Sequence, residues 1–184
     1  LCRGQEVEIH SPQDAIRLGM GLVTEDRKLT GLVLEMGVRA NMTLPLLNEL
    51  SKLKVIDSHT EEQLVDEHIQ ALKIKTPHRY FKVRNLSGGN QQKVVLARWL
   101  AKKAKILLLD EPTRGIDVGA KAEIYHLIRR LADQGISIIM VSSELPEIVK
   151  LSDRVLVMKE GQVMGLLNRE EISQERIMER ATAK

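Results

Sequence analysis

Two short apolar runs stand out in the second half of the chain, residues 106–109 and 136–141. A stretch with helical spacing of its apolar positions precedes the first run, from about Ser87 to residue 103. Another such stretch, 117–134, separates the two runs. Strands that alternate with helices are typical of a parallel α/β sheet. Because both runs are almost continuously apolar, we expect both faces of that sheet to be covered.

The pattern on either side of this region predicts further elements. An amphipathic helix over 58–73, within a stretch from 38 to 82 that shows no strand signal, indicates a helical insertion. Ser11 and Pro12 have the residue types of a helix cap and a first helical position. The other predicted elements are an edge strand over 5–9, a strand over 20–23 followed by a charged loop over 24–28, a short helix over 145–150, strands over 154–158 and 163–167 joined by a turn at Glu160 and Gly161, and a last helix after Ser173.

Composition and charge narrow the classes of function. Of the 184 residues, 43% are apolar and 2% aromatic, and 28 basic against 25 acidic side chains give a net charge of +3. The two signs are interspersed, whereas nucleic-acid-binding proteins cluster their cations, and few aromatic rings are available to stack on bases. Cys2 is the only cysteine, so no disulfide forms within the chain, which fits a cytosolic location. No apolar run approaches the ~18 residues that cross a bilayer, so we expect any membrane role to be exerted from outside it.

The first apolar run ends in two carboxylates, Asp110 and Glu111, followed by Pro112. Ligands of open α/β sheets bind at the carboxyl ends of the strands. Asp110 there could hold Mg²⁺ through a coordinated water, and Glu111 could orient the water that attacks a phosphate. An acidic turn after a core strand is the competing interpretation, and this motif alone does not separate the two.

A second motif, Leu86-Ser87-Gly88-Gly89-Asn90, begins the helical stretch before that run. Ser87 is a good helix cap, and the glycines allow backbone N–H groups to approach a ligand closely. A helix N-terminus carries roughly half a positive charge and unpaired donors, which suits a phosphate. An ordinary capped helix after a glycine turn remains the alternative for this motif alone.

Taken together and in this order, the two motifs resemble those of ABC ATPases, and the resemblance extends over essentially the whole chain. It implies an α/β fold with a P-loop NTPase-like parallel sheet core from 1–37 and 87–184, an inserted helical subdomain at approximately 38–86, and a short antiparallel edge. It also implies Asp110 as the metal ligand and Glu111 and Ser143 as catalytic positions, Ser143 standing where the switch histidine occurs. The implied nucleotide-contacting residues are Glu25, at the position of the lid-loop glutamine, Ser87, Gly88, Gly89, Asn90 and Asp117.

Finer matches resemble the C-terminal ATPase half of bacterial monosaccharide importers, the ribose, galactose, arabinose and xylose group. They are Leu-Ser-Gly-Gly-Asn-Gln-Gln-Lys at 86–93 and Glu-Asp-Arg-Lys at 25–28. That resemblance implies ATP and Mg²⁺ as cofactors and a location at the cytoplasmic face of the inner membrane. The implied partners are an N-terminal ATPase half or a second copy, membrane permease subunits and, indirectly, a periplasmic sugar-binding protein. Nucleic acid is not among them.

The phosphate-binding motif Gly-x-x-x-x-Gly-Lys-Ser/Thr does not occur in these residues. Since the chain begins at Leu1, we interpret this as a fragment boundary and expect the isolated chain to hydrolyse no ATP. Ser143 lacks the imidazole of a histidine, and Glu25 brings a negative charge near ATP that Mg²⁺ or a nearby cation such as Arg27 or Lys28 would have to offset. We therefore expect the site built on this domain to be the weaker hydrolytic one.

Two other functions compete with sugar import. A soluble ABC protein that acts on ribosomes or DNA would carry a strongly basic extension or a long coiled-coil insertion, and neither occurs here. A binding module without enzymatic activity is the other possibility, and for the isolated chain it coincides with the expectation above.

Overall fold

The computed structural model describes Gly4 and residues 6–52 and 55–183. The chain divides into two units, Leu1–Val141 and Ser142–Lys184. The elements of the first unit are, in chain order, α1 Pro12–Arg17, β1 Met20–Val23, a π-helical turn Arg27–Gly31, α2 Val38–Thr43, a 3-10 turn Leu44–Leu46, α3 Leu47–Leu50, β2 Ser51–Lys52, β3 Val55–Ile56, α4 Ser58–Ala71, a 3-10 turn Val83–Asn85, α5 Gly88–Ala101, β4 Ile106–Asp110, α6 Val118–Asp133 and β5 Ser137–Val141. Those of the second unit are α7 Leu145–Leu151, β6 Arg154–Lys159, β7 Gln162–Asn168, a 3-10 turn Arg169–Glu171 and α8 Gln174–Thr182.

A parallel sheet of three strands in the order β1-β4-β5 is the framework of the first unit. Its register aligns Val23 with Leu109, and both side chains are buried on the same face. The α5 helix packs against this face, where the Trp99 ring lies over Gly21 and its indole N–H donates to the Leu22 carbonyl at 2.7 Å. The predicted strands and the parallel α/β class are therefore confirmed.

The opposite face of this sheet is open to a degree that the sequence did not suggest. Leu22 is 49% exposed, and Ile139 and Val141 are each 60% exposed. Leu22 and Ile139 share a face because both align with Leu108 in the register. Within the described residues this face is exposed, so the prediction that both faces of the sheet are covered is not met there.

Residues 38–86 are largely helical, as predicted. Asp57 caps α4 by accepting the N–H of Thr60 at 3.2 Å, and α4 ends at Ala71, two residues before the predicted end. The two-residue strands β2 and β3 form a small antiparallel pair that the sequence did not predict. The assignment of this stretch as a separate subdomain stays a prediction.

The predicted edge strand over 5–9 is wrong where the structure describes it. Residues 6–10 have neither helix nor strand geometry, and Gln5 lies outside the described residues. Ile9 is 44% exposed, so the alternation of this segment buries little apolar surface that would hold it against a sheet. The next element is as predicted, because the Ser11 hydroxyl accepts the N–H of Asp14 and caps α1.

The second unit is an antiparallel hairpin of β6 and β7 with helices α7 and α8. Glu160 and Gly161 both adopt the left-handed conformation, with φ of 51° and 80°, as a two-residue hairpin turn requires. Val155, Val157 and Leu167 form its core together with Ile177 of α8. The predicted turn, both strands and the last helix are confirmed, and the hairpin supplies the antiparallel element of the fold.

Among the helices that the structure describes, none has both the length and the apolar character that crossing a membrane requires.

Candidate functional site

The start of α5 is built as the sequence predicted. Ser87 is the cap residue, and its hydroxyl accepts the backbone N–H of Asn90 at 3.4 Å. The Asn90 side chain donates to the same hydroxyl at 2.9 Å, and its oxygen accepts the N–H of Lys75 at 2.8 Å. Asn90 therefore ties the preceding segment to the cap, a local structural role that the motif alone did not reveal.

Buried polar contacts fix α5 in one register. Lys93, 5% exposed, donates to Glu123 of α6 at 2.7 Å and to the Lys73 carbonyl at 3.2 Å. Its ammonium is the main reason that the pKa of the Glu123 carboxyl lies below its usual value. The start of α5 is thereby held against α6 and the end of α4.

Further along α5, Arg98 donates to the carbonyls of Asn41 and Gly31 at 2.7 and 2.6 Å, and to the Asn41 side-chain oxygen at 3.2 Å. Burial lowers the pKa of Arg98 to about 10, so it stays cationic at neutral pH. Asn41 is fully buried and also bonds the Val33 N–H and carbonyl, at 2.9 and 3.0 Å. This network joins α5 to α2 and to the π-helical turn.

The acidic pair stands at the carboxyl end of β4, as predicted. Asp110 is partly exposed and aligns with Val141 at the end of β5. Glu111 leaves the strand in the left-handed conformation, with φ of 46°, and its N–H donates to the Val141 carbonyl at 2.9 Å. A left-handed non-glycine residue is uncommon and turns the chain sharply. Thr113, 1% exposed, then anchors the loop in the interior.

The loop after the acidic pair leads into α6. Gly115 has φ of 65°, a conformation that favours glycine. The Asp117 carboxylate accepts the N–H of Ala120 at 3.0 Å and caps α6, so this predicted nucleotide-contacting residue also has a local role. We refer to residues 114–117 as the connecting turn.

The Arg27 side chain bonds two main-chain carbonyls of the connecting turn. One guanidinium nitrogen donates to the Arg114 carbonyl at 2.6 Å, and the other donates to the Gly115 carbonyl at 3.0 Å. The side chain is 8% exposed, and its Nε is buried without a hydrogen-bond partner. Burial lowers the pKa of Arg27, which is the expected effect of desolvating a cation, and the nearby Asp26 carboxylate opposes that shift.

Glu25 contacts the connecting turn from the other side, through an ion pair between its carboxylate and the Arg114 guanidinium. The cation beside Glu25 is therefore Arg114, whereas Arg27, one of the nearby cations suggested for this position, bonds main-chain carbonyls. Arg27 lies two residues further along the loop. Its side chain is buried and bonds the carbonyls of the connecting turn. No described contact joins the Lys28 side chain to Glu25.

The glycines of the α5 motif are required by close approach to these same groups. A Cβ on Gly88 would lie 2.7 Å from Arg27 Nη2 and 3.0 Å from the Gly115 carbonyl oxygen. A Cβ on Gly89 would lie 2.8 Å from Ala120 Cβ, in the first turn of α6. The fold therefore brings together the N-termini of α5 and α6, the connecting turn and the loop that carries Glu25.

Ser143 belongs to the second unit and is exposed. Its neighbour Ser142 donates to the buried carboxylate of Glu147 at 2.5 Å and accepts the N–H of Glu144 at 3.0 Å. Glu147 lies in α7, so this contact fixes the start of the unit. The role expected for Ser143 stays a prediction.

The donor set at the end of β4 suits Mg²⁺ better than a cation with many protein ligands. Asp110 offers one carboxylate, and the described residues contain no cluster of three or more histidine, cysteine or acidic side chains. Mg²⁺ is commonly held by one or two carboxylates together with water and phosphate oxygens. A partly exposed carboxylate at the carboxyl end of a strand fits that requirement.

A glycine-started helix, a connecting turn and an acidic strand end packed in this way can be compared with known proteins. The family model described as ABC transporter matches residues 2–114. The chain belongs to the ABC transporter family. Among curated relatives of this ABC transporter chain, the ribose import ATP-binding protein RbsA of Bacillus cereus is 52% identical over 97% of the chain. The xylose import ATP-binding protein XylG of Geobacillus kaustophilus is 53% identical over the same share. The chain spans 36% of the length of each.

Solved structures of this family have the same fold. CbiO1 from Clostridium perfringens, part of the ABC transporter complex cbiONQ, matches with a TM-score of 0.73 at 25% identity, over 94% of this chain and 66% of that one. A dimeric post-hydrolysis state of the ATP-binding cassette MJ0796, bound to ADP and Pi, matches with a TM-score of 0.72 at 21% identity, over 88% of this chain and 68% of that one. The second likeness is one of fold alone.

Sequence reasoning missed three contributors to this region of the ABC transporter chain: the inward-facing Arg27, the ion pair of Arg114, and the buried pair of Arg98 and Asn41. Each contact joins residues far apart in the chain. A buried arginine inside a run of charged residues has no signal in the hydrophobic pattern.

Proposed function

We propose that this chain is part of the ATP-binding, ATP-hydrolysing subunit that energises the import of a monosaccharide. Two observations carry the proposal: the capped, glycine-started α5 packs against the connecting turn, and the acidic end of β4 leads into that turn. The identity of about half of the residues with ribose and xylose import ATP-binding proteins supports the class of substrate. None of those relatives is named for ribosomes or DNA, the alternative considered above.

In the proposed mechanism Asp110 holds the metal ion and Glu111 orients the attacking water. Mg²⁺, when bound, supplies charge neutralisation on the phosphate oxygens. Phosphoryl transfer depends on positioning and electrostatic stabilisation, so the rigid, left-handed exit of Glu111 from the strand suits this role. Glu25 contributes to the proposed site from the lid loop. The switch role proposed for Ser143 comes from its place in the sequence alone.

The start of α5 serves a different nucleotide in this proposal. Ser87, Gly88 and Gly89 face a nucleotide held by a partner ATPase domain, which is an N-terminal half or a second copy. Asn90 and Asp117 keep the ends of α5 and α6 in place beside it through their capping contacts. The helix dipole places roughly half a positive charge at the start of α5, which favours a phosphate there.

We further propose that the protein acts at the cytoplasmic face of the membrane, with permease subunits and indirectly with a periplasmic sugar-binding protein. The helical stretch 38–86 would form the subdomain that contacts the permease. The relatives' names support an importer, and the uptake experiment below identifies the sugar.

The function is tested with the native protein and its permease in lipid vesicles, by measuring ATP-dependent uptake of ribose and of xylose. We expect uptake of one of them to require Mg²⁺ and ATP. A complex that hydrolyses ATP but moves no monosaccharide would contradict the sugar-import assignment. A native protein without ATP hydrolysis would contradict the enzymatic one.

The same assay tests which site is stronger. We expect Ser87→Arg to reduce ATP hydrolysis more than Glu111→Gln, because Ser87 would complete the partner's stronger site and Glu111 the weaker site on this domain. Arginine at the start of α5 adds bulk and removes the cap, whereas glutamine keeps the size of Glu111. The opposite ranking in steady-state rates would refute the proposed asymmetry.

A further inference from the structure

We propose that Arg27 is a positioning residue that sets the geometry between the connecting turn and the start of α5 during ATP hydrolysis. This inference rests on the proposed function. Arg27 itself lies 8% exposed and is held by carbonyls, so it acts through the turn and not by touching the substrate.

The first argument is the geometry of the guanidinium. Its two terminal nitrogens bond two successive carbonyls of the connecting turn, at 2.6 and 3.0 Å. Two parallel donors of a rigid planar group fix orientation as well as distance, which a single ammonium cannot do. The carbonyl direction at Gly115 is thereby set from a residue of a different loop.

The second argument is the contact with α5. The Cα of Gly88 lies so close to Arg27 that any Cβ would meet Nη2 at 2.7 Å. Arg27 therefore fills the space between the first residue of α5 and the turn that leads to Asp117, the cap of α6. A shorter apolar side chain would leave a gap beside two helix N-termini.

The third argument is the cost of placing this cation here. The guanidinium has no carboxylate among its described hydrogen-bond partners, its Nε is buried without a partner, and burial lowers its pKa. Burying a charge without an ion pair is unfavourable, so a residue that served packing alone would be better apolar. The neighbouring Glu25 binds the same turn through Arg114, so both ends of the loop 25–27 hold one element.

The test uses the native full-length protein with Arg27→Met and with Arg27→Lys. The matched control is Arg129→Met, which removes one cation from the exposed face of α6, where Arg129 pairs with Asp133 at 3.9 Å. We expect Arg27→Met to lower kcat about tenfold and to change KM for ATP less than about twofold. The reason is that the connecting turn loses its position while the contacts to the nucleotide remain. We expect the kcat of Arg27→Lys to lie between those of Arg27→Met and the native protein. The control Arg129→Met should keep the native kcat.

A second readout does not depend on activity. Hydrogen exchange of the peptide that spans the connecting turn is expected to become at least about tenfold faster in Arg27→Met, with the interior of α6 unchanged. An unchanged exchange rate at the turn overturns the proposal, and so does a fall in kcat that only matches a fall in the folded fraction. If the native protein hydrolyses no ATP, the proposed function fails while the exchange experiment still decides the role of Arg27.

Discussion

Gly88→Ala is the substitution that most directly tests the packing of the candidate site. The added Cβ would meet Arg27 Nη2 at 2.7 Å and the Gly115 carbonyl oxygen at 3.0 Å. Nη2 is the end of a long side chain, but its hydrogen bond to the Gly115 carbonyl restrains it. Either that bond lengthens or the start of α5 shifts, because ordinary van der Waals separation requires a movement of about half an ångström or more.

The magnitude follows from two opposing effects. Overpacking of this kind costs about 1–3 kcal/mol, and alanine in place of glycine in a helix returns about 0.5–1 kcal/mol. The difference between these ranges is about 0–2.5 kcal/mol, so we expect Gly88→Ala to lower the free energy of unfolding by about 1 kcal/mol. Gly119→Ala is the matched control, also in the first turn of a helix, where the Cβ has only the Asp117 carboxylate at 3.6 Å. It should be neutral or stabilise by about 0.5 kcal/mol.

Urea unfolding followed by tryptophan fluorescence is a suitable assay, because Trp99 is the only tryptophan of the chain and reports the contact of α5 with β1. A double-mutant cycle sharpens the result. If the clash with the guanidinium is the cause, Gly88→Ala should cost less when Arg27 is already methionine. Equal stability of the Gly88 and Gly119 variants would refute the reasoning.

Two further predictions concern the contacts that hold α5. Asn41→Ala should destabilise the chain by about 3 kcal/mol or more in the same urea assay, because the Val33 N–H and the Arg98 guanidinium lose a buried acceptor. A loss below about 1 kcal/mol would contradict this. Glu123→Gln should lower stability at pH 7 but not at low pH. Since the folded-state pKa of Glu123 is lowered, its contribution is present above about pH 4.5 and is lost as the pH falls through the folded-state value. A difference in the free energy of unfolding between the native protein and Glu123→Gln that stays constant down to pH 3 would exclude the contact with Lys93 as its source.

An exposed residue of the same type is available as a control for each of these two substitutions. Asn48→Ala, at an exposed position of α3, should change stability by less than about 0.5 kcal/mol. Glu179→Gln, at an exposed position of α8, removes the same charge and should change stability at pH 7 by less than about 0.5 kcal/mol.

Local signals in the sequence were sufficient for much of the fold. Ser87, Asp117 and Ser173 each accept an N–H three residues later, so each predicted helix start coincides with an observed cap. The pair Glu160-Gly161 is a turn signal that needs no partner outside the hairpin. These features depend on residues close together in the chain, so the sequence is sufficient to predict them.

Contacts between distant residues were beyond the sequence. Arg27 bonds carbonyls that lie 87 and 88 positions later in the chain, and every residue has a carbonyl, so no side-chain pattern points to these two. For the same reason Arg114, which pairs with Glu25, was not among the cations that the sequence suggested for that carboxylate. The strand expected over 5–9 failed because alternation describes a surface and does not supply a partner strand.

The way in which Arg27 holds the connecting turn has a consequence for how freely this loop can vary. Main-chain oxygens make the contact, so substitution of the side chain at position 114 leaves both hydrogen bonds possible. Position 115 is different, because its φ of 65° disfavours a side chain. Changes of side chain in this loop should thus be tolerated, whereas changes of its backbone conformation should not. Insertion of a single residue there should lower stability more than replacement of Arg114.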